Sequence, residues 1–204
     1  MPRRLRAFPA LLLAGLLLVA GCITPRHAQP VLERPDAEAA LSKLDVFSFE
    51  GRAAIRQGEK GTQATLNWSQ HGADARLRLS GPFGAGAVSV MLEGAVLSIE
   101  DSQGSRLSGP DAEGVLADQL GFTPPIATLR WWLLGLPAPD SQALQTRDEA
   151  GRLVRLQQDG WQVEYQEYRD ESLPLGLAAM PRRLRATRDT LDLRLVIDNW
   201  MLAP

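Results

Sequence analysis

Phe47-Ser48-Phe49-Glu50-Gly51-Arg52-Ala53-Ala54-Ile55 and, one turn later, Gln63-Ala64-Thr65-Leu66-Asn67-Trp68-Ser69 decide the fold. In both runs apolar or small residues fall on every second position: Phe47, Phe49, Gly51, Ala53 and Ile55 in the first, Ala64, Leu66 and Trp68 in the second. A period of two places those residues on one face of an extended strand and leaves Ser48, Glu50, Arg52, Thr65 and Asn67 on the other, so each segment has a wet side and a dry side. The pattern recurs at Leu77 and Leu79 between Arg76 and Arg78, at Val88, Val90 and Leu92, and at Leu97 and Ile99. It resumes over Leu153 to Leu156, Trp161 to Tyr168, Arg183 to Thr187 and Leu191 to Trp200. The intervening turns, Glu93-Gly94 and Asp159-Gly160 among them, are too short for the crossovers that parallel strands need. The chain therefore reads as mainly β with some α, about ten to eleven antiparallel strands in a strongly curved sheet.

The alternation breaks in mid-chain, where helical spacing replaces it. Asp111 is placed to cap a helix carrying Val115, Leu116 and Leu120, with Gly121 as its stop. Pro124 and Pro125 open a second helix whose Ile126, Leu129, Trp132 and Leu133 fall on one stripe, with Trp131 to the side and Gly135 and Pro137 ending it. Upstream, Asp36 is placed to cap a short amphipathic helix through Ala37, Ala40, Leu41 and Leu44. A sheet that curls without closing, covered by a helical lid, is an unclosed barrel around an apolar volume. Periodicity alone does not say whether that volume is packed solid or left as a pocket.

Outside this body lies a leader. Arg3, Arg4 and Arg6 precede the apolar run Leu11 to Val19, which is too short to span a bilayer, and the segment closes on Val19-Ala20-Gly21-Cys22. A single cysteine forms no internal disulfide, and its position after small residues marks Cys22 as the lipid-acceptor thiol of a bacterial lipoprotein. Residues 1–21 thus read as the signal peptide, 22–35 as a lipidated, proline-rich tether, and 36–204 as one domain. Ile23 stands where an Asp would signal retention at the inner membrane in enteric bacteria, which is compatible with export to the outer membrane.

Charge narrows the function. Removing the leader leaves 19 basic against 24 acidic side chains, a net charge of −5, which argues against nucleic acid or a broad electrostatic hold on anionic lipid. The chain has no phosphate-cradling loop, no paired CxxC and no HExxH. His27 and His71 are too few and too far apart for a metal site, so no metal or cofactor is expected. Glu164, Glu167, Asp170 and Glu171 crowd together, but beside Arg169 on a strand they read as a solvated face and not as an acid/base pair. No catalytic constellation emerges, and binding by apolar side chains is left.

Two apolar features stand out. Phe83 sits in Gly81-Pro82-Phe83-Gly84 between two well-patterned strands, where a loop is ordinarily polar; its ring either projects or folds back on the rim. Trp68, Trp131, Trp132, Trp161 and Trp200 are the other, as core or as ligand contacts. With Cys22, the strand ending Trp68-Ser69-Gln70, Trp131-Trp132-Leu133-Leu134-Gly135-Leu136-Pro137, Gly160-Trp161-Gln162-Val163-Glu164-Tyr165 and Ile197-Asp198-Asn199-Trp200, the Phe83 turn resembles, in order, the LolB family of outer-membrane lipoprotein receptors.

That resemblance implies an unclosed antiparallel barrel whose helical lid encloses an apolar cavity for acyl chains. It implies a nucleotide-independent monomer, lipid-anchored in the outer membrane and facing the periplasm. Such a protein accepts acylated lipoprotein cargo from a LolA-type periplasmic carrier and passes it to outer-membrane phospholipid. The family's protruding loop delivers lipid through an apolar residue between Pro and Gly; here Pro82, Phe83 and Gly84 occupy it, with Phe where the best-known member has Leu. Trp68, Leu129, Trp132, Leu133 and Trp161 are the inward-face candidates for the cavity or its mouth. A structural lipoprotein scaffolding an outer-membrane complex, with a filled barrel, and a lipid-anchored hydrolase are the alternatives.

Overall fold

The computed structural model describes residues 29–81, 86–120, 122 and 124–202. Helix α1 (Arg34–Ser42) precedes strands β1 (Val46–Gln57), β2 (Lys60–His71), β3 (Asp74–Ser80), β4 (Val88–Glu93), β5 (Val96–Glu100) and β6 (Arg106–Ser108). Helices α2 (Pro110–Leu120) and α3 (Ile126–Leu133) follow, then β7 (Ala143–Arg147), β8 (Leu153–Gln158), β9 (Trp161–Leu173), β10 (Gly176–Arg188) and β11 (Leu191–Leu202). All eleven strands form one antiparallel sheet in the order β6-β5-β4-β3-β2-β1-β11-β10-β9-β8-β7. Each half is a simple meander, and the halves join where β1 lies between β2 and β11. β6 and β7 are the two edges and do not pair, so the barrel stays open; the chain passes from one edge to the other through α2 and α3.

The alternation in the sequence maps onto the two faces. Phe47, Phe49, Gly51 and Ala53 are buried, whereas Glu50 and Arg52 are exposed. Phe49 stacks on Trp68 with ring centroids 6.1 Å apart, and Trp200 meets Phe47 and Phe49 edge-on at 5.8 and 5.2 Å. Gly51 sits at a bulge in the β1–β11 register, and a Cβ there would collide with the Val196 carbonyl oxygen. At the β8–β9 turn both Asp159 and Gly160 have positive φ, 52° and 77°, the left-handed pair that an Asp-Gly hairpin turn demands.

The expected count of ten to eleven strands holds, and two expected helix caps need correction. β6 and β7 carry no period-two signature because they are edge strands, exposed along nearly their whole length, with nothing to bury on either face. Neither Asp36 nor Asp111 is a cap: each lies inside the first helical turn, where its charge still meets the helix dipole. Pro35 and Pro110, suited to the first helical positions, start those helices earlier. Ahead of α1 the chain clasps the sheet: the Leu177 N–H donates to the Pro30 carbonyl at 2.7 Å and the Leu32 N–H to the Leu177 carbonyl at 2.8 Å. That clasp brings the N-terminal segment to the end of the sheet holding the turns at Gly72, Gly94 and Leu175; the turns at Gly58, Asp159 and Asp189 mark the opposite end.

Gly51→Ala forces β1 away from β11 and costs about 1–3 kcal/mol, read as a lower denaturation midpoint with an unchanged m-value. Asp192, bound by both forks of Arg185 at 2.9 and 3.0 Å, is held down to about 2 first by that hydrogen bond. A carboxylate with a depressed pKa stabilises the fold above its unfolded value and stops doing so as pH falls through its folded one. The stability advantage of the native chain over Asp192→Asn is therefore full above pH ~4 and gone below pH ~2, which thermal unfolding at a series of pH values checks.

Candidate functional site

The concave face of the sheet would be a wall of hydrocarbon in water without its lid. Ile126, Leu129, Trp132 and Leu133 are all buried on the stripe that the spacing indicated, and Leu116 of α2 joins them. Between lid and sheet remains a cavity of about 50 Å³. Phe49, Leu66, Trp68, Leu77, Val90 and Leu195 line it from the strands; Leu116, Phe122, Ile126, Leu129 and Leu133 line it from the lid. Among the described residues no polar side chain lines it. Half-buried Ile55, Leu79 and Pro124 form its rim, toward the end opposite the N-terminal clasp.

The size of this cavity sets what it does. An apolar void of ~150 Å³ takes up a molecule such as benzene, whereas ~10–15 Å³ is enough for one water. At about 50 Å³ the site is about a third of that benzene-holding size, so a guest as large as an acyl chain must displace the lid.

The lid is fastened at one end. The Trp132 indole N–H donates to Gln158 Oε1 at 2.9 Å, the Ala138 N–H donates to the same oxygen at 3.0 Å, and Gln158 Nε2 donates to the carbonyls of Ala138 (2.7 Å) and Ser141 (3.1 Å). The Tyr165 hydroxyl donates to the Trp132 carbonyl at 3.1 Å, and burial pushes its pKa well up, so it stays a donor. Arg34 adds a bond to the Gly135 carbonyl at 3.1 Å. All of these hold the C-terminal end of α3 and the loop after it. The preceding α2 packs chiefly on the short edge formed by β5 and β6, with Leu116 reaching into the cavity wall.

Of the five inward-face candidates, Trp68, Leu129 and Leu133 line the cavity. Trp132 and Trp161 do not: Trp132 belongs to the Gln158 latch, and Trp161 lies one layer back, its ring 6.1 Å from Trp132 and 5.9 Å from Phe122. Their indoles pack against each other and against the lid's fixed end, which removes them from the wall. Gln158 was the residue that alternation could have found, because it shares the inward face with Leu156 yet is polar; Gln70, inward beside Trp68, accepts that indole N–H at 3.1 Å in the same way. The acidic cluster is ion-paired: Arg182 meets Glu167 at 2.7 Å and Arg169 meets Glu171 at 2.7 Å. Cys22, Pro82, Phe83 and Gly84 lie outside the described residues. Among the described residues no group of three His, Cys, Asp or Glu could hold a metal ion, and no helix is long and apolar enough to cross a membrane.

Replacing Gln158 by Leu leaves the Trp132 and Ala138 donors without a partner in a dry interior. The cost is about 1–3 kcal/mol, with hydrogen exchange accelerated first in α3 and residues 134–142, which native-state exchange measures.

A family profile described as Outer membrane lipoprotein LolB matches residues 45–200, which takes in the sheet from its first strand to its last. The Outer-membrane lipoprotein LolB of Pseudomonas aeruginosa (strain PAO1) is 36% identical over 203 residues, covering 97% of this chain and 96% of its own length. That of Ectopseudomonas mendocina is 37% identical over 191 residues, covering 91% and 92%. Among solved structures, a putative outer membrane lipoprotein-sorting protein domain from Vibrio parahaemolyticus shares the fold at a TM-score of 0.50 and 5% identity, over 82% of this chain and 89% of that one. A profile match across the whole sheet and relatives aligned nearly end to end place this chain in the LolB family of outer-membrane lipoproteins.

Proposed function

We propose that this protein receives lipoproteins from a LolA-type periplasmic carrier, shelters their acyl chains between sheet and lid, and places them in the inner leaflet of the outer membrane, to which Cys22 tethers it by lipid. The observation that carries this reading is the small cavity, lined by apolar side chains among the described residues, under a lid fastened at one end. Family membership supports it: the relatives bear the name of outer-membrane lipoproteins.

An acyl chain in water costs about 25 cal/mol for each Å² of apolar surface, so transit between membranes requires a greasy shelter at every step. In a shut cavity, opening the lid exposes apolar surface that the guest then covers again, and the apparent affinity is lowered by that opening. This is a useful property for a protein that must give its cargo up. With no nucleotide involved, direction follows from rising affinity, with the carrier weakest, this protein tighter and the bilayer tightest. Phe83, between Pro82 and Gly84, is the apolar residue that would enter the bilayer interface as cargo leaves.

A purely structural lipoprotein would share the small cavity volume, and uptake of a fluorescent acylated peptide separates the two readings. Binding that saturates and is weakened about ten- to hundredfold by Leu79→Asn at the rim, the equivalent of ~1.5–3 kcal/mol of apolar contact, supports the receptor; no uptake at all leaves the scaffold. Phe83→Glu takes up cargo from the carrier normally and fails to insert it into liposomes, and normal insertion by this variant would refute the role given to the loop.

A further inference from the structure

The exposed apolar side chains are distributed unevenly over the molecule. Eight large ones are exposed among the described residues, and six of them, Val31, Val46, Val96, Val154, Leu175 and Met201, lie at the strand ends and turns of the N-terminal end. Of the other two, Leu107 lies within β6 and Leu144 toward the opposite end. Val31 and Leu175 are the barest of the six, 66% and 71% exposed, and they flank the Pro30–Leu177 clasp. Beside them a groove of about 380 Å³ runs between the end of α1 and the β9–β10 turn, walled mostly by Leu44, Val46, Leu173, Pro174 and Leu175, with Lys43 and Asp45 at its edge. Val46 and Met201 share the outer face of adjoining strands, at 41% and 47% exposure.

The same end is where the tether arrives. Seven residue steps separate Cys22 from Gln29, and a fully extended chain of that length reaches at most about 25 Å. If Cys22 is embedded by its acyl groups, Gln29, next to the clasp, is held within that distance of the bilayer, and the end it brings there carries these apolar side chains among the exposed charges of Lys43, Asp45, Asp74 and Glu93.

We propose that this end of the half-barrel is a bilayer-contact surface. Val31, Leu175, Val46 and Met201 rest in the interface of the membrane that holds Cys22, and the cavity rim at Ile55 and Leu79 faces away from that membrane, toward an arriving carrier. The proposal rests on the lipid anchor at Cys22 assigned above. It adds an orientation: the receiving state stands on its N-terminal end, and delivery into the same leaflet requires the body to turn over. The attraction is apolar, not electrostatic, since the net charge without the leader is −5.

The test uses the mature, acylated protein reconstituted in vesicles of phosphatidylethanolamine and phosphatidylcholine that carry a nitroxide quencher on their acyl chains. A fluorophore is placed by a single cysteine substitution either at Ala73, in the exposed β2–β3 turn of the N-terminal end, or at Glu59, in the β1–β2 turn of the opposite end. Quenching several-fold stronger at Ala73 than at Glu59, and loss of that difference in Val31→Glu/Leu175→Glu, is the result expected. Both substituted side chains are so exposed that the fold should not notice. Protein that floats with the vesicles but shows equal quenching, or stronger quenching at Glu59, overturns the proposal and leaves the anchor intact. A difference that survives the double variant, or cross-linking of two copies through residue 73, overturns it as well, the latter in favour of a second copy as occupant. Protein that does not float, with Cys22 unmodified by mass, removes the anchor and the orientation together.

Discussion

A sheet whose edges never meet must hide its inner face by other means, and everything else in this molecule follows from that. Eleven strands bend far enough to gather Phe49, Leu66, Trp68, Leu77 and Leu195 around one axis, yet β6 and β7 remain unpaired. The hydrocarbon so gathered is too extensive to leave in water. Much of the cover is the chain that must travel from β6 to β7, built as two apolar helices, with Ala37 and Leu41 of α1 joining the same buried core. Topology and packing are thus a single solution: the connection between the edges serves as cover.

Because the cover is a connection and not a further layer of sheet, its attachment is local. One buried glutamine, Gln158, takes or gives five hydrogen bonds at the C-terminal end of α3 and in the loop beyond, while α2 leans on β5 and the three-residue edge strand β6. The interior is nearly dense, but its density depends on a lid with one firm and one weakly held side. In the proposed role, a cavity that is small at rest and bounded by such a lid would differ from a rigid lipid pocket by collapsing on itself when a guest departs, so that release exposes little hydrocarbon to water.

The strands of the concave face were legible from alternation alone, since Phe47 to Ile55 and Ala64 to Trp68 have one face to bury and one to wet. β6 and β7 were not, because an edge strand with solvent on both sides carries no such imprint. The lid stripe at Ile126, Leu129, Trp132 and Leu133 was legible as a helix, and all four are buried. Which of them faces the cavity was not: Trp132 and Leu133 are neighbours in sequence on the same stripe, and only the position of Gln158 across the fold draws the indole into a latch while Leu133 stays in the wall. Two polar residues on inward positions, Gln70 and Gln158, were signals of buried hydrogen bonding that periodicity could have flagged and tryptophan counting could not.

The seam between β1 and β11 has a consequence for how the chain reaches this state. Every other strand pairs with a neighbour a short turn away, but Phe47 pairs with Leu202, nearly the full length of the domain later. A ribosome makes β1 first and β11 last, so one flank of the earliest strand stays bare until synthesis is finished. Contacts of such sequence separation form slowly, and a bare flank rich in Phe and Ala invites pairing with the wrong chain. The closing of this seam is the step at which a nascent polypeptide of this kind is most in need of a holding chaperone.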